Sequence, residues 1–214
     1  MDILYLDKDI VLCIKPAGVL STDEPGGIPE LLRHELGGEI RTVHRLDRVV
    51  SGLMLLARNQ QAASALSEGI RNNEFKKQYL AVVHGNTPDY GRMTDLLYRD
   101  KALRKTFVTD TPAKGVQEAI LDYETLERNE NTSLIRIELI TGRTHQIRCQ
   151  FSHHGFSLLG DRKYGSKEDG CDIALWSHYI EFIHPTSKEN MYFRRNPLSN
   201  HPWNKFEHIS RNSK

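Results

Sequence analysis

Asp47 is set between two guanidinium groups in the stretch Val43-His44-Arg45-Leu46-Asp47-Arg48-Val49-Val50-Ser51-Gly52. The apolar run Leu53 to Ala57 follows directly. Such a run, entered through Ser51-Gly52, reads as a core strand. Asp47 then belongs to the turn at the strand's mouth, carried by a rigid scaffold and facing a cleft, where reactive groups often sit. Taken alone, an Asp-Arg pair is more often a solvated turn. Other parts of the chain raise its weight.

Three further stretches have chemistry in their residue types. Gly142-Arg143-Thr144-His145-Gln146-Ile147-Arg148 follows a strong strand and opens a helix. Backbone N–H groups at a helix start, with arginines around them, suit a phosphate or a carboxylate. Lys76-Lys77-Gln78-Tyr79 places a tyrosine at the start of a strand beside two lysines. That pattern allows a base to stack on Tyr79 while Lys76 and Lys77 meet phosphates, although a tyrosine in a strand is more often core. Gly160 to Lys167, with Lys163 at its centre, is a second basic loop and the weakest of the four signals.

These groups need elements to hold them. Ile3–Leu6 and Ile10–Ile14 read as short strands around Asp7-Lys8-Asp9, with Lys15-Pro16-Ala17-Gly18 ending the second. Pro29 suits the first turn of a helix that stops at Gly37-Gly38. Asn59 is a plausible N-cap for a helix carrying Ala62, Ala65, Leu66 and Ile70 inward. Phe75 to Gly85 reads as a strand, and the pattern from Thr87 to Lys101 is irregular. Strands are expected near 104–109, 116–126 and 134–141, the last with clean alternation. A helix is expected after Thr144, ending at Gly155, and a strand from Ile173 to Ile183. Strands outnumber helices and several lie too close for helical crossovers. The expectation is an α+β fold with one catalytic domain over residues 1–195, on a largely antiparallel mixed β-sheet. Residues 196–214 read as a polar tail.

Composition narrows the class. The net charge is +1, with 29 Lys+Arg against 28 Asp+Glu, so a case for polyanion binding rests on clustering. Basic residues do cluster, at Arg71 to Lys77, Lys101 to Lys105, Arg143 to Arg148 and Arg162 to Lys167. Cys13, Cys149 and Cys171 are odd in number and far apart, as expected of free thiols in the cytoplasm. No apolar run approaches a membrane span. Ten histidines invite a check for metal, but no HExxH or equivalent spacing occurs, and no metal site is expected. No GxSxG elbow supports a serine hydrolase.

Together the motifs resemble the RluA-type pseudouridine synthases. His44-Arg45-Leu46-Asp47 with Ser51-Gly52 and its apolar strand looks like that family's catalytic motif. Ile10 to Gly18, Lys77 to Gly85, Gly142 to Arg148, Gly160-Asp161 with Tyr164-Gly165, and Leu175 to Pro185 resemble its other motifs in the same order. Two positions depart from the pattern: Val50 stands where a threonine is usual, and Trp176-Ser177 where His-Ala is usual. Neither removes a group expected to do chemistry. Some members carry an N-terminal S4-like RNA-binding domain; the first expected strand here begins at Ile3, which leaves no room for one.

The resemblance implies isomerisation of uridine in structured RNA, tRNA or rRNA, to pseudouridine, with no cofactor. It implies that Asp47 is the nucleophile or charge-stabilising carboxylate, that Arg143 orients it, and that Tyr79 stacks on the flipped uracil. Leu175 is then the apolar wall, Arg45 fills the space left by the base or contacts its phosphate, and His44 belongs to the same RNA-contacting motif. Lys76, Lys77, Arg148 and Lys163 are the expected phosphate contacts. The partner is RNA, with no membrane and no metal, and the protein is expected to be a monomer. Two rival readings are a non-catalytic RNA-binding or RNA-folding module and, more distantly, a histidine-metal hydrolase.

Overall fold

The computed structural model describes residues 1–168 and 170–211. In chain order the elements are β1 (Asp2–Leu6), β2 (Ile10–Lys15), α1 (Ile28–Leu36), β3 (Arg41–Thr42), β4 (Ser51–Ala57), α2 (Gln60–Arg71), β5 (Lys76–His84), β6 (Tyr90–Asp100), β7 (Lys105–Thr109), β8 (Val116–Asn129), β9 (Thr132–Leu139), α3 (Gln146–His153), β10 (Leu175–Ile183), β11 (Asn190–Arg194) and α4 (Glu207–Arg211). The fold is mixed α+β with mostly antiparallel strand pairing, as expected. The described residues form two compact units, one of residues 1–77 with 176–195, the other of residues 78–175 with the segment from Asn196.

The first unit is built on β4. Its residues Leu53 to Ala57 are wholly buried, which explains their unbroken apolarity. β2 runs antiparallel to it from Ile10↔Ala57 to Lys15↔Gly52, and β1 continues antiparallel beyond β2. On its other side β10 runs parallel, through Trp176↔Ser51 and Ser177↔Gly52. Gly52 makes that approach possible. Its φ is +117°, and a Cβ there would lie 2.4 Å from the Ser177 carbonyl oxygen. β11, missed by the sequence reading, pairs antiparallel with β10. The Asn59 side chain caps α2 by accepting from the Ala62 N–H at 2.8 Å. Ala62, Leu66, Phe75 and Phe182 join Ile10, Leu12, Leu53 and Leu55 in one core.

In the second unit, residues 78–84 of β5 pair antiparallel with β9, β9 with β8, β8 with β6, and β6 with β7. The stretch expected to be irregular is therefore largely the strand β6. Its inward residues Met93 and Leu97 alternate with polar ones, and the interposed Thr94, Asp95 and Arg99 hide the period. α3 lays Cys149 against Leu97 and Ala119. The segment from Asn196, expected as a polar tail, packs down instead. Trp203, Phe206 and Ile209 are buried, and the Glu127 carboxylate accepts the Glu207 and His208 N–H groups that open α4. Three apolar residues spaced three apart are enough to anchor a short segment whose composition reads as polar. Among the described residues, no helix is long and apolar enough to cross a membrane.

Candidate active site

Asp47 lies in the first unit, and Tyr79, Arg143 and Leu175 lie in the second. Each is described within its own unit.

Asp47 opens a turn closed by the Val50 N–H, which donates to the Asp47 carbonyl at 3.0 Å. The loop around it is pinned at several points. The Ser21 hydroxyl donates to the Leu46 carbonyl at 2.5 Å and accepts the Leu46 N–H at 3.0 Å. The Gly18 N–H donates to the Arg48 carbonyl at 2.8 Å, and Arg48 Nε returns a bond to the Gly18 carbonyl at 2.7 Å. Lys15 is wholly buried, and its Nζ donates to the carbonyls of Pro16 at 2.8 Å and Arg48 at 3.1 Å. Burial pulls the Lys15 ammonium down to about 8, while the Asp47 carboxylate opposes that shift. Asp47 itself is half-buried. A carboxylate is thus held on a rigid loop at the mouth of a fully buried strand, with a buried cation behind it. That arrangement suits a group that must keep one position while charge develops nearby.

Lys15 and Ser21 were not foreseen as site residues. The lysine had a signal: it ends the apolar run Ile10 to Ile14, on a strand buried on both faces. Ser21 had none, since a serine in a loop is commonplace.

His44 is corrected. It was expected at the RNA interface and is buried instead, with 7% exposure. Its Nε2 accepts the Leu55 N–H at 3.0 Å, so Nδ1 carries the ring proton. Nδ1 is buried and has no hydrogen-bond partner among the described residues. Burial, and then the nearby Lys77 charge, push its pKa down to about 3. A neutral imidazole locked on β4 fixes the start of the Asp47 loop and does not reach a phosphate. Arg45, one residue on, is exposed. Lys76 is exposed and contacts Glu181 at 3.3 Å. Lys77 is half-buried, with its ammonium 5.8 Å from the centre of the Phe75 ring and its pKa lowered by burial.

In the second unit, Tyr79 sits near the start of β5 opposite Ile137 of β9 and is 5% exposed. Leu175 begins β10 and is also buried. The Gly142 to Arg148 segment is a tight connection from β9 into α3. The Gln146 side-chain oxygen accepts the Arg143 N–H at 3.0 Å, and the Gln146 side-chain amide donates to the Ile120 carbonyl at 3.1 Å. Arg143 Nε donates to the Glu118 carbonyl at 2.9 Å, which fixes the plane of its guanidinium. His145 takes the left-handed conformation, φ +57°, at the N-cap of α3. Its Nδ1 lies 2.8 Å from the Tyr164 hydroxyl, which accepts the Thr106 N–H.

Arg148 is the second correction. Its guanidinium is buried, bound to Asp161 through Nε at 2.7 Å and Nη2 at 2.8 Å, and lies 5.1 Å from the Tyr164 ring centre. It is part of an internal ion pair that ties α3 to the Gly160 loop, not a phosphate contact. Lys163 is exposed and donates to the Arg104 carbonyl at 2.9 Å.

Asp7, Asp9 and His184 bring possible ligand atoms within 4.8 Å of one another. The His184 Nδ1 accepts the N–H groups of Thr186 and Ser187, so Nε2 carries the proton and donates it to Asp7 at 2.9 Å. The group reads as a hydrogen-bonded brace at the β1–β2 turn. Cys13, Cys149 and Cys171 are free thiols.

The fold and this loop match a known class. The family described as RNA pseudouridylate synthase matches residues 9–153, more than half of the chain. The chain belongs to that family, in its RluA-type branch, whose members are isomerases. It is 33% identical over 208 residues to the uncharacterized RNA pseudouridine synthase YlyB of Bacillus subtilis, covering 90% of this chain and 68% of that protein. It is 29% identical over 217 residues to the tRNA pseudouridine synthase C of Haemophilus ducreyi, covering 89% and 88%. The solved structure of human RNA pseudouridylate synthase domain containing 1 superposes with a TM-score of 0.81 at 21% identity, over 94% of this chain and 85% of that one, which is a likeness of fold.

Proposed function

We propose that this RNA pseudouridine synthase isomerises specific uridines in structured tRNA or rRNA, with Asp47 as its nucleophile. The observation that carries the reading is the pinning of the Asp47 loop by Lys15, Gly18 and Ser21 at the mouth of β4. A solvated turn needs no such support. The relatives' names favour these RNA classes: one is a tRNA pseudouridine synthase, and another, 30% identical, is a ribosomal large subunit pseudouridine synthase of Buchnera aphidicola.

The reaction breaks the C1′–N1 bond, turns the uracil, joins C1′ to C5, and moves a proton from C5 to the solvent as N1 gains one. One proton leaves and one is gained, so composition and oxidation level are unchanged and no redox partner or group donor is needed. The uridine leaves its stack first, at a cost of a few kcal/mol that is least in a loop. In this proposal the ionised Asp47 attacks C1′ or C6. Arg143 orients it. Tyr79 stacks on the uracil and helps remove the C5 proton, and Leu175 walls the base. Arg45 occupies the space left by the flipped base, and Lys76, Lys77 and Lys163 meet phosphates. The free thiols fit a cytoplasmic enzyme, working as a monomer.

The test is incubation of the purified chain with RNA from cells lacking its gene, followed by mapping of pseudouridines. New pseudouridine at defined positions is the expected result. RNA bound but left unmodified would favour the non-catalytic RNA-binding module.

A further inference from the structure

The hairpin of β6 and β7 has two unlike faces. Leu97, Val108 and Thr106 turn inward, with Leu97 and Val108 packing towards Cys149 and Tyr164. By the two-residue period, Leu96, Tyr98, Lys105 and Phe107 share the opposite face. Tyr98 and Phe107 are directly paired across the strands and are 45% and 37% exposed. Paired side chains of this kind sit close enough to form one surface. At the tip, Leu103 is 61% exposed. Among the described residues β7 pairs with β6 alone, so the hairpin is an edge.

Cations cluster towards the tip of the hairpin. Lys101, Arg104 and Lys163 are exposed, and Arg99 and Lys105 are half-buried. Lys105 Nζ lies 5.4 Å from the Phe107 ring centre and 5.1 Å from that of Tyr164. Lys163 is bound to the hairpin through the Arg104 carbonyl. Its ammonium is held below the ordinary lysine value by desolvation first, and then by the charges of Arg148, Arg99, Lys105 and Arg104. The one carboxylate at the tip, Asp100, accepts the Leu103 N–H at 2.8 Å and closes the turn. Among the described residues no carboxylate lies within ion-pair distance of Lys101, Arg104, Lys105 or Lys163.

We propose that the β6–β7 hairpin is a second RNA contact, where Tyr98 and Phe107 stack on unpaired bases other than the reacting uridine and the tip cations hold the adjoining phosphates. The inference rests on the reading of the chain as an RNA enzyme. Paired aromatics supply a face that any base can stack on, and uncompensated cations beside them call for a polyanion. RNA carries both features on one strand. A protein docking through Tyr98, Phe107 and Leu103 would have to cover those cations unpaired, which is costly.

The test uses oligouridylate containing 5-iodouracil as probe, with irradiation and peptide mapping of the cross-links. Cross-links at Tyr98 or Phe107 are expected. In parallel, Tyr98→Ser/Phe107→Ser should weaken oligouridylate binding about tenfold. Lys101→Gln/Arg104→Gln should lower the slope of log affinity against log salt by about 1.4, at about 0.7 per phosphate on single strands. Tyr90→Ser, at the other end of β6 and 72% exposed, serves as the control and leaves binding unchanged. No cross-link at either ring, with wild-type affinity and salt slope in both variants, would overturn the proposal. Failure of the wild-type chain to form pseudouridine would count against the catalytic reading alone, since the cross-link does not depend on turnover.

Discussion

The buried ammonium of Lys15 donates to the Arg48 carbonyl at 3.1 Å, and so joins the end of β2 to the residue that follows Asp47. The Gly18 N–H shares that carbonyl at 2.8 Å. The Asp47 loop is therefore fixed from below by a charged side chain that solvent does not reach. Its own charge is balanced in part by Asp47, since the carboxylate raises the Lys15 pKa against the pull of burial.

Replacing Lys15 by methionine keeps the volume and removes the charge and two hydrogen bonds. The Arg48 carbonyl retains Gly18 as donor, so stability should change by no more than about 1–2 kcal/mol. Activity should fall at least tenfold, because small displacements of a reacting group are costly. Urea denaturation and initial rates of pseudouridine formation on the same preparation check both halves.

Lys15 also gives the enzyme a pH signature. Its folded pKa of about 8 lies below its ordinary value of 10.5. The unfolded chain then binds more protons between those values, so stability rises with pH across that window, and the cost of burying the charge is present in full below about 8. Melting curves from pH 7 to 10.5 should show this rise, and Lys15→Met should flatten it.

His44 predicts the acid limb. Its folded pKa is pushed from 6.5 to about 3, so the fold holds it neutral while the unfolded chain protonates. Stability should fall as pH drops from 6.5 towards 3, by up to about 1.4 kcal/mol per pH unit from this residue. His44→Gln, which has no such titration, should show a shallower acid slope in denaturant titrations at stepped pH.

Arg148 and Asp161 form a buried pair, with side chains 6% and 1% exposed. Removing one partner leaves a buried charge without its counter-ion and should cost about 3–5 kcal/mol. Arg148→Met with Asp161→Leu should cost much less than the sum of Arg148→Met and Asp161→Leu alone. A double-mutant cycle by chemical denaturation measures the difference. Additive losses would mean the pair is not coupled.

The sequence made β4 legible as an unbroken apolar run, buried on both faces, and α2 through the helical spacing of Ala62, Leu66 and Ile70. It was silent on β6 because Leu96 and Tyr98 interrupt its polar outer face and Asp95 stands on the inner one, where it receives the Gln150 amide at 2.7 Å. The segment from Asn196 read as polar because only Trp203, Phe206 and Ile209 anchor it. The loop that carries Asp47, at the entrance to β4, was legible through its sequence pattern. Lys15 showed only as a charge ending an apolar run, because the carbonyl it bonds lies 33 residues away. His44 and Arg148 looked like RNA contacts because residue type shows charge and not burial.

The most direct test of the account is pseudouridine formation by Asp47→Asn, measured beside its RNA affinity. The account predicts that conversion of uridine is lost while RNA still binds with near wild-type affinity. Conversion by Asp47→Asn at a near wild-type rate would contradict it.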